Sequence, residues 1–498
     1  MTKGNWWVVC VALAVLASLA SEARAQTLER DLHDAFRAMK LGEASVAFQV
    51  LDAATEEILA QHNPERALIP ASNMKLLTTG CALLILGKDF TFRTEFLIDG
   101  DRLWIRGSGD PALFDPELLA RLEPRVTVEE VTAALAKQVA ASGVTSVREI
   151  VLDDRVFDRV RVHPSWPENQ LNRWYCAPVG GLNFHANILH VFVKPSETGG
   201  TPPVRTQPEA PWIEIRNQAR TVATGQNSIW LARERSPDIF TLFGSVRVAS
   251  REPVDVTIHD PGMFFGRVME RKLRASGVTV ADGAVRLAGE GEQPTPRSKV
   301  VAAVSTRLED IVRRCNTDSH NLYAEALLKR LAFEVTGQSG SWGAGGSVLR
   351  MTMSEHLGAS YVASTQAADG SGMSRENRVS PATLAHWLAR LQADPGIGET
   401  FVTSLATPGM GTLADRFKES PPLRNEVRAK TGYIQGVRAV SGFVTDPRTG
   451  RRVAFSVIMN DIAGDPATGN ARRMQEQAVR VIDAWLARQS PVEPAVGG

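Results

Sequence analysis

The pattern of hydrophobic and polar positions predicts a chain in which short strands alternate with helices. Hydrophobic residues recur at helical spacing over residues 28–41, and an alternating run over 44–53 predicts a strand. A second strand over 57–62 could pair with it as a hairpin. A long apolar stretch then predicts a buried helix that begins near Ser72 and ends at Gly87.

The middle of the chain is richer in short β-like runs. Two alternating runs flank the turn signal Asp99-Gly100-Asp101, so we predict a strand hairpin over 96–106. A glycine-rich loop over 107–111 follows it. The other elements predicted here are helices over 128–141 and 264–275, strands over 149–153, 188–193, 212–216 and 278–287, and a polar linker over 289–298.

Helical and strand patterns resume after the linker. We predict helices over 307–314 and 321–335, adjacent strands over 437–444 and 453–460, and a closing amphipathic helix over 471–488. The closing helix could lie on a membrane surface, although packing against a sheet is the default in layered domains. We therefore predict an α/β (α+β) domain, built from the two ends of the chain and interrupted by a mostly β insertion.

Composition and charge indicate an ordinary globular protein. Of the 498 residues, 43% are hydrophobic and 22% are charged, which is ample material for a buried core. The formal net charge is +1, so neither a nucleic-acid partner nor a polybasic membrane contact is predicted. A neutral chain can still contain a charged cleft for a small substrate.

The N-terminal residues have the order of a secretory signal peptide. Lys3 precedes an apolar stretch over 6–20, and Ala23-Arg24-Ala25 ends in a small-residue cleavage pattern. We predict a signal peptide over 1–25, with an uncleaved anchor as the alternative. Cys10 lies inside the apolar stretch, which argues against a lipid-modified cysteine at the cleavage point. Since no other segment is long and apolar enough, no stable membrane span is expected.

The cysteines and histidines do not indicate a metal site or a disulfide scaffold. Cys81, Cys176 and Cys315 remain after the signal peptide, so at most one disulfide is possible. We interpret them as buried apolar residues. The chain has no Cys-x-x-Cys and no His-Glu-x-x-His, and its nine histidines are scattered. We predict neither a metal nor a cofactor.

The run Ser72-Asn73-Met74-Lys75 could supply an activated nucleophile. A serine hydroxyl needs an adjacent base, and residues three apart share one face of a helix, so the Lys75 amine can reach the hydroxyl. The helix N-terminus adds positive potential for a developing oxyanion. Taken alone the pattern is weak, because a capping serine beside a solvated lysine would look the same.

Two further motifs favour a catalytic role for Ser72 and Lys75 over a helix cap. Ser319-His320-Asn321 lies at the start of a predicted helix, and Lys430-Thr431-Gly432 lies before the predicted strand at Val437. Separately they could be a helix cap and a surface turn. Together with the first motif they form the ordered trio Ser-x-x-Lys, Ser-x-Asn and Lys-Thr-Gly of penicillin-recognising serine enzymes.

On these motifs the chain resembles the D-alanyl-D-alanine carboxypeptidase/endopeptidase family of class C, low-molecular-mass penicillin-binding proteins (S13 peptidases). Class A β-lactamases are similar in the trio but leave a far shorter gap than the 244 positions (319 − 75) from Lys75 to Ser319. The matching stretches follow in order along the chain: 70–75, 107–111, 153–157, 177–183, 316–325, 369–381, 411–418 and 428–442.

The resemblance implies a penicillin-binding/β-lactamase-like serine transpeptidase domain interrupted by two inserted, mostly β domains. It also implies export across the inner membrane to the bacterial periplasm. The expected boundaries are a transpeptidase-like domain over 26–94 and 299–490, inserted domain II over 95–175 and 260–298, inserted domain III over 176–259, and a disordered tail over 491–498.

The resemblance also implies the catalytic residues. Ser72 would attack the carbonyl between two D-alanines of a peptidoglycan stem peptide, and Lys75 would take its proton. Ser319 would help to pass a proton to the leaving amine, and Asn321 would hold Lys75 and the substrate amide. Water would then release the acyl-enzyme, whereas a β-lactam would acylate Ser72 and leave slowly.

The Lys-Thr-Gly motif is expected to bind the substrate. By resemblance, Lys430 would attract its terminal carboxylate and favour the neutral form of Lys75, and Thr431 would hydrogen-bond that carboxylate. Backbone N–H groups of Ser72 and Tyr433 would form the oxyanion hole. Tyr433 stands where the family often has a smaller polar residue, so its side chain could reshape substrate entry.

Two other residue groups are given no catalytic role. His320, in the middle of Ser-x-Asn, is interpreted as a packed or solvated side chain. The signature Asp369-Gly370-Ser371-Gly372 is interpreted as a tight glycine turn packed beside the site.

Two other functions stay open from the sequence. One is a β-lactamase or esterase on the same scaffold, although no acidic base for deacylation can be assigned. The other is a non-catalytic protein that binds peptidoglycan, against which the intact motifs argue.

Overall fold

The protein is described by a computed structural model that covers residues 26–234 and 237–489. The predicted signal peptide, Cys10 and the predicted C-terminal tail lie outside the described residues. The chain divides into two compact units. The first consists of the residues up to Leu84, Arg313–Ser319 and the residues from Leu349 onwards, and the second of Ile85–Val312 and His320–Val348.

The helices and strands are numbered in chain order. The helices are α1 (26–38), α2 (Met74–Leu86), α3 (Pro116–Ala120), α4 (Val128–Ala141), α5 (Pro261–Ala275), α6 (Leu308–Thr317), α7 (Asn321–Thr336), α8 (Trp342–Leu357), α9 (Ala359–Val362), α10 (Pro381–Gln392), α11 (Gly398–Ser404) and α12 (Ala467–Gln489). The strands are β1 (Ser45–Asp52), β2 (Ile58–His62), β3 (Thr91–Asp99), β4 (Arg102–Arg106), β5 (Ser146–Val147), β6 (Glu149–Asp153), β7 (Ile188–Val193), β8 (Val204–Gln207), β9 (Glu214–Asn217), β10 (Arg220–Thr221), β11 (Trp230–Arg233), β12 (Ile239–Phe243), β13 (Ser245–Val246), β14 (Val254–Thr257), β15 (Thr279–Val280), β16 (Val285–Leu287), β17 (Lys299–Arg307), β18 (Glu426–Ile434), β19 (Val437–Thr445) and β20 (Arg452–Asn460).

The first unit is built on a five-stranded antiparallel sheet in the order β18-β19-β20-β1-β2. Its strands alternate, so that Phe48 and Val50 of β1 share one face with Phe455 and Val457 of β20. These residues form one buried cluster with Met474 and other residues of α12. The closing helix therefore packs into a core, as predicted, and does not present its apolar face to a membrane.

The second unit contains a mixed five-stranded sheet in the order β16-β6-β4-β3-β17, with smaller sheets beside it in the chain. Helices α4 and α5 contact each other, and their buried residues join those of the sheet in one large core cluster. The three-stranded sheets β14-β7-β8 and β11-β12-β9 contain most of the short β-like runs of residues 180–258.

The predicted fold class is confirmed, because helices and strands are mixed and separate sheets accompany the main one. Two predictions of single elements need correction. The strand predicted over 278–287 is wrong: a turn with Gly283 at φ +66° divides it into β15 and β16. The predictions also miss β18, since Lys430-Thr431-Gly432 lies within this edge strand and not merely before a strand. The finer division of the insertion into domains II and III stays a prediction.

Candidate active site

Ser72 lies in a single 3-10 turn, Ala71–Asn73, that leads directly into α2. Ala71, immediately before it, has φ +46°, a left-handed conformation that is unfavourable for a residue with a Cβ. Such a conformation persists only where its surroundings hold it, and it is typical of functional sites. The turn leaves Ser72 partly exposed while Lys75 is completely buried.

The amine of Lys75 contacts the hydroxyl of Ser72. Nζ lies 3.1 Å from Ser72 Oγ and 2.8 Å from the carbonyl oxygen of Ser371. The i, i+3 spacing predicted this contact, because it places both side chains on one face of the helix start. The carbonyl of Ser371 aims the amine at the hydroxyl, and that second partner could not be read from the motif itself.

The loop that carries Ser371 is the predicted tight glycine turn. Gly372 has φ +85°, and a Cβ at this position would lie 1.8 Å from the carbonyl oxygen of Ala71. The buried Asp369 carboxylate holds the loop by accepting backbone N–H groups of Gly372 at 2.8 Å and Ser374 at 2.6 Å. The glycine is therefore needed for both its backbone conformation and its close approach to the turn that bears Ser72.

Lys430 is also completely buried, and its amine contacts Ser319. Nζ donates to Ser319 Oγ and to the carbonyl oxygen of Thr431, both at 2.8 Å. Burial lowers the pKa of Lys430 well below its ordinary range, the positive charge of Lys75 lowers it further, and Cys315 and Asp318 partly oppose the shift. Ser319 has φ +61°, a second left-handed residue beside the site.

Asn73, the second residue of Ser-x-x-Lys, connects the turn that bears Ser72 to β18. Its Nδ2 donates to the carbonyl oxygen of Lys430 at 2.9 Å, and its Oδ1 accepts the hydroxyl of Ser441 at 2.7 Å. Ser441 in turn lies 2.9 Å from Ser456 Oγ. This role was not predicted from the sequence, although the amide of Asn73, between the two motif residues Ser72 and Lys75, was a signal for it.

Gly432 and Tyr433 continue β18 past Lys430. A Cβ on Gly432 would lie 2.8 Å from the carbonyl oxygen of Pro70, so a side chain here would require the strand or the turn that bears Ser72 to shift. Tyr433 is 61% exposed, and the guanidinium of Arg438, its partner across β18 and β19, lies 3.6 Å from the ring centroid. Thr431 is half-buried.

A buried polar network holds the segment that precedes Ser319. Asn316 Nδ2 donates to Thr79 Oγ1 at 3.1 Å and to Ser404 Oγ at 2.8 Å, while Thr317 Oγ1 donates to the Ser404 carbonyl at 2.7 Å. These bonds join the end of α6 to α2 and α11. Asn316 was part of the matched sequence stretches, but its role in placing Ser319 was not predicted.

Asn321 begins α7 and belongs to the second unit. Its Nδ2 donates to the carbonyl oxygen of Tyr175 at 2.8 Å. The ring of His320 packs against Trp174 and Tyr323, with centroids 5.6 Å and 4.8 Å apart, in keeping with its interpretation as a packed residue. The contacts above thus bring together Ser72, Lys75, Ser319 and Lys430 within one unit.

Comparison with known proteins shows the family of the chain. A family model described as D-Ala-D-Ala carboxypeptidase 3 (S13) matches residues 28–484. The chain belongs to this family. A D-alanyl-D-alanine carboxypeptidase of Actinomadura sp. (strain R39) is 32% identical over 470 residues, which cover 89% of this chain and 83% of that protein.

Other members of the S13 family are more distant in sequence but similar in fold. The D-alanyl-D-alanine carboxypeptidase DacB of Haemophilus influenzae is 26% identical over 455 residues, 84% of this chain and 86% of that one. The crystal structure of penicillin binding protein 4 (dacB) from Haemophilus influenzae matches with a TM-score of 0.74 and 22% identity, covering 91% of this chain and 99% of that chain.

As an S13 family member the protein is a serine-type D-Ala-D-Ala carboxypeptidase, a hydrolase. Within residues 26–234 and 237–489, no group of three or more His, Cys, Asp or Glu could hold a metal ion. No helix in this part of the chain is long and apolar enough to cross a bilayer. Cys81, Cys176 and Cys315 are buried, as interpreted from the sequence, and none of them forms a disulfide within the described residues.

Proposed function

We propose that the protein hydrolyses peptidoglycan stem peptides or cross-links through an acyl-enzyme on Ser72. The observation that carries the proposal is the 3.1 Å contact of Lys75 Nζ with Ser72 Oγ at the start of a helix. A neutral amine at this distance can accept the hydroxyl proton as the oxygen attacks. The family's D-Ala-D-Ala carboxypeptidase activity supplies the reaction class.

In the first step Ser72 Oγ bonds to the carbonyl carbon between two D-alanines while its proton passes to Lys75. The resulting oxyanion is stabilised by the backbone N–H groups of Ser72 and Tyr433, each typically contributing about 3–4 kcal/mol. The C–N bond then breaks as the proton held by Lys75 passes through Ser319 to the leaving amine, which returns Lys75 to its neutral form. Ser319 is suited to this role because its hydroxyl already contacts the amine of Lys430.

Lys430 and Thr431 bind the carboxylate of the leaving D-alanine. A buried ammonium attracts a carboxylate more strongly than an exposed one, because little water screens the charges. By the family resemblance, Asn321 holds the substrate amide. In the second step a water molecule attacks the ester carbonyl and restores the Ser72 hydroxyl, and a β-lactam that acylates Ser72 acts as an inhibitor.

The setting of this reaction is the bacterial periplasm. The order of basic, apolar and small residues over 1–25 supports export and removal of a signal peptide. We further propose that the transpeptidase-like domain comprises 26–94 and 299–490, with inserted domains over 95–175 with 260–298 and over 176–259. The absence of a Cys-rich framework fits a protein whose stability comes from its hydrophobic cores.

Labelling with a fluorescent penicillin tests the nucleophile. The wild type is expected to take a covalent label, and Ser72→Ala is expected to take none. Ser347→Ala is the matched control, because Ser347 is an exposed serine on α8 and should label like the wild type. An unlabelled wild type, or equal labelling of Ser72→Ala, would refute the mechanism.

Hydrolysis assays then separate the two peptidase activities. Purified protein is incubated with a D-Ala-D-Ala pentapeptide and with cross-linked muropeptides, and release of D-alanine or of monomeric muropeptides is measured. We expect cleavage of at least one substrate, abolished in Ser72→Ala and in Lys75→Met. If neither is cleaved although both are pure and soluble, a wall-binding role without catalysis replaces the proposed one.

A further inference from the structure

Asn73 is completely buried and joins the two elements that carry the proposed oxyanion hole. In the proposed mechanism one donor is the N–H of Ser72, in the turn before α2, and the other is the N–H of Tyr433, in β18. Hundreds of positions separate these two residues along the chain. Both donors must nevertheless lie about 2.7–3.1 Å from the developing oxyanion. The turn and the strand therefore have to be held at a fixed separation.

The pairing of β18 determines where the Tyr433 N–H points. Ala429 donates its N–H at 2.9 Å to the carbonyl oxygen of Ala406, which lies outside the five-stranded sheet. Backbone N–H groups alternate in direction along a strand, so those of Thr431 and Tyr433 point the same way as that of Ala429. The Tyr433 N–H is therefore directed away from β19, where a substrate carbonyl can accept it.

The side-chain amide of Asn73 contacts both members of one cross-strand pair. Lys430 of β18 lies opposite Ser441 of β19. Asn73 Nδ2 donates to the carbonyl oxygen of Lys430 at 2.9 Å, and its Oδ1 accepts the hydroxyl of Ser441 at 2.7 Å. An amide donates only through its nitrogen and accepts only through its oxygen. The hydroxyl of Ser441 therefore keeps the nitrogen of Asn73 turned towards Lys430.

The backbone of the turn also lies directly against the strand. A Cβ on Gly432 would lie 2.8 Å from the Pro70 carbonyl oxygen and 3.2 Å from the Ala71 Cβ. This contact limits how closely the turn and β18 can approach, and the Asn73 bond resists their separation. Because Asn73 follows Ser72 directly, the restraint acts on the peptide next to the nucleophile. Buried surroundings strengthen the bond, since little water competes for its donor and acceptor.

We propose that Asn73 is a positioning residue of the oxyanion hole, which holds the Ser72 N–H at the separation from the Tyr433 N–H that the oxyanion requires. The inference rests on the proposed function and deepens it by naming the residue that assembles the hole from two elements. Because Asn73 is completely buried, it acts on the reaction without touching the substrate. Its loss therefore slows formation of the tetrahedral intermediate and leaves the preceding binding step unchanged.

Penicillin acylation measured at increasing penicillin concentration separates these two steps. We expect Asn73→Ala to lower the limiting acylation rate by about ten- to a hundredfold, because a displaced donor costs somewhat less than the roughly 10²–10³-fold loss of removing one. The half-saturating concentration should change by less than about twofold. Ser441→Ala keeps Asn73 but no longer orients its amide, so it should lower the limiting rate by about three- to tenfold.

Asn425→Ala is the matched control. Asn425 is a buried asparagine immediately before β18, and its Nδ2 donates to the Asp483 carbonyl oxygen at 2.9 Å. This variant also loses a buried amide that anchors β18, so it should unfold at lower temperature than the wild type. Its limiting acylation rate should equal that of the wild type, because Asn425 lies at the other end of the strand from Tyr433.

The extent of labelling at long times gives the folded fraction of each variant, and rates are compared per folded molecule. Wild-type limiting rates in Asn73→Ala and Ser441→Ala would overturn the inference, as would equal losses in these variants and in Asn425→Ala. A rise in the half-saturating concentration alone would also overturn it. If Asn73→Ala does not fold, the rate of Ser441→Ala decides. A wild type that takes no label would overturn the proposed function together with the inference.

Discussion

The ammonium group of Lys430 lies in buried surroundings, where it donates to two neutral oxygens, Ser319 Oγ and the Thr431 carbonyl. A lysine in such a place holds its proton less tightly than one in water, and the charge of Lys75 weakens its hold further. A substrate carboxylate that binds beside Lys430 would raise its pKa again, against the effects of burial and of the Lys75 charge. The residue proposed to attract the substrate carboxylate is therefore also sensitive to alkaline pH.

We predict that KM for a D-Ala-D-Ala peptide rises with pH well before pH reaches about 10.5, the ordinary pKa of lysine. Because the pKa of Lys430 is lowered, its charge is present below that lowered value and is lost as pH rises through it. Steady-state KM measured across neutral to alkaline pH checks this. In Lys430→Arg the guanidinium stays charged, so the alkaline rise should disappear. Identical profiles for the two proteins would contradict the assignment.

At the scale of elements, the 3-10 turn before α2 is held from two sides. Gly432 of β18 lies close to the turn, and the Asn73 amide of the turn donates to the Lys430 carbonyl of the same strand. On the other side, Gly372 of the loop held by Asp369 lies against the Ala71 carbonyl. Both approaches depend on glycines that allow the backbones to come close. The position of Ser72 therefore depends on elements that are remote in sequence.

Gly372→Ala is predicted to slow penicillin acylation of Ser72 by at least about tenfold, because a displacement of the nucleophile turn by a fraction of an ångström is enough for such a loss. Its Cβ would lie 1.8 Å from the Ala71 carbonyl oxygen. Gly358→Ala is the matched control: Gly358 has φ +91°, but nothing lies within 4 Å of its Cβ. Both variants should unfold at lower temperature than the wild type.

Only Gly372→Ala should lose acylation rate, as stopped-flow or gel-based labelling with penicillin would measure. If the two variants acylate at equal rates, the glycine acts through backbone conformation alone, and the close approach to Ala71 does not position the nucleophile.

The elements differ in how far the sequence predicts them. Helix α4 and strand β6 have the predicted bounds, because a strong local pattern determines each of them. The contact of Lys75 with Ser72 was also predictable, since three residues separate them. In contrast, the left-handed Ala71 and the bonds of Asn73 were missed, because Gly372 and Lys430, which contact this turn, lie hundreds of positions further along the chain. Strand β18 was also missed, although its sheet partner β19 follows it directly. The catalytic roles of the seven motif residues remain predictions.

At the scale of the whole molecule, the groups that respond to acid and to alkali lie in different units. The lysines of the site belong to the first unit, whereas His185, His190, Asp110 and Asp255 are buried or largely buried in the second. His185 begins a run of three left-handed residues, His185–Asn187, tied by hydrogen bonds to Ile188 and Pro178. These four groups therefore make the stability of the second unit depend on pH.

Burial lowers the pKa of His185 to about 4 and that of His190 to about 3, so both stay neutral in the folded protein at pH values where they are protonated after unfolding. At these two histidines the unfolded state then binds more protons between about pH 6.5 and pH 4, so their contribution to the free energy of unfolding falls as pH falls through this range. Asp110 and Asp255 act in the opposite direction, because burial raises the pKa of each to about 6.

A variant of His185 separates the effect of the histidine from that of the aspartates. Asp110 and Asp255 are present in the wild type and in the variant, so their contributions cancel when the two proteins are compared. We choose His185→Asn, because asparagine tolerates the left-handed backbone and can still donate to the Ile188 carbonyl. Urea unfolding at pH 7 and pH 5 measures the difference in unfolding free energy between the wild type and the variant. From pH 7 to pH 5 this difference should shift by about 2 kcal/mol against the wild type. A difference independent of pH would mean that His185 is not held neutral by the core of the second unit.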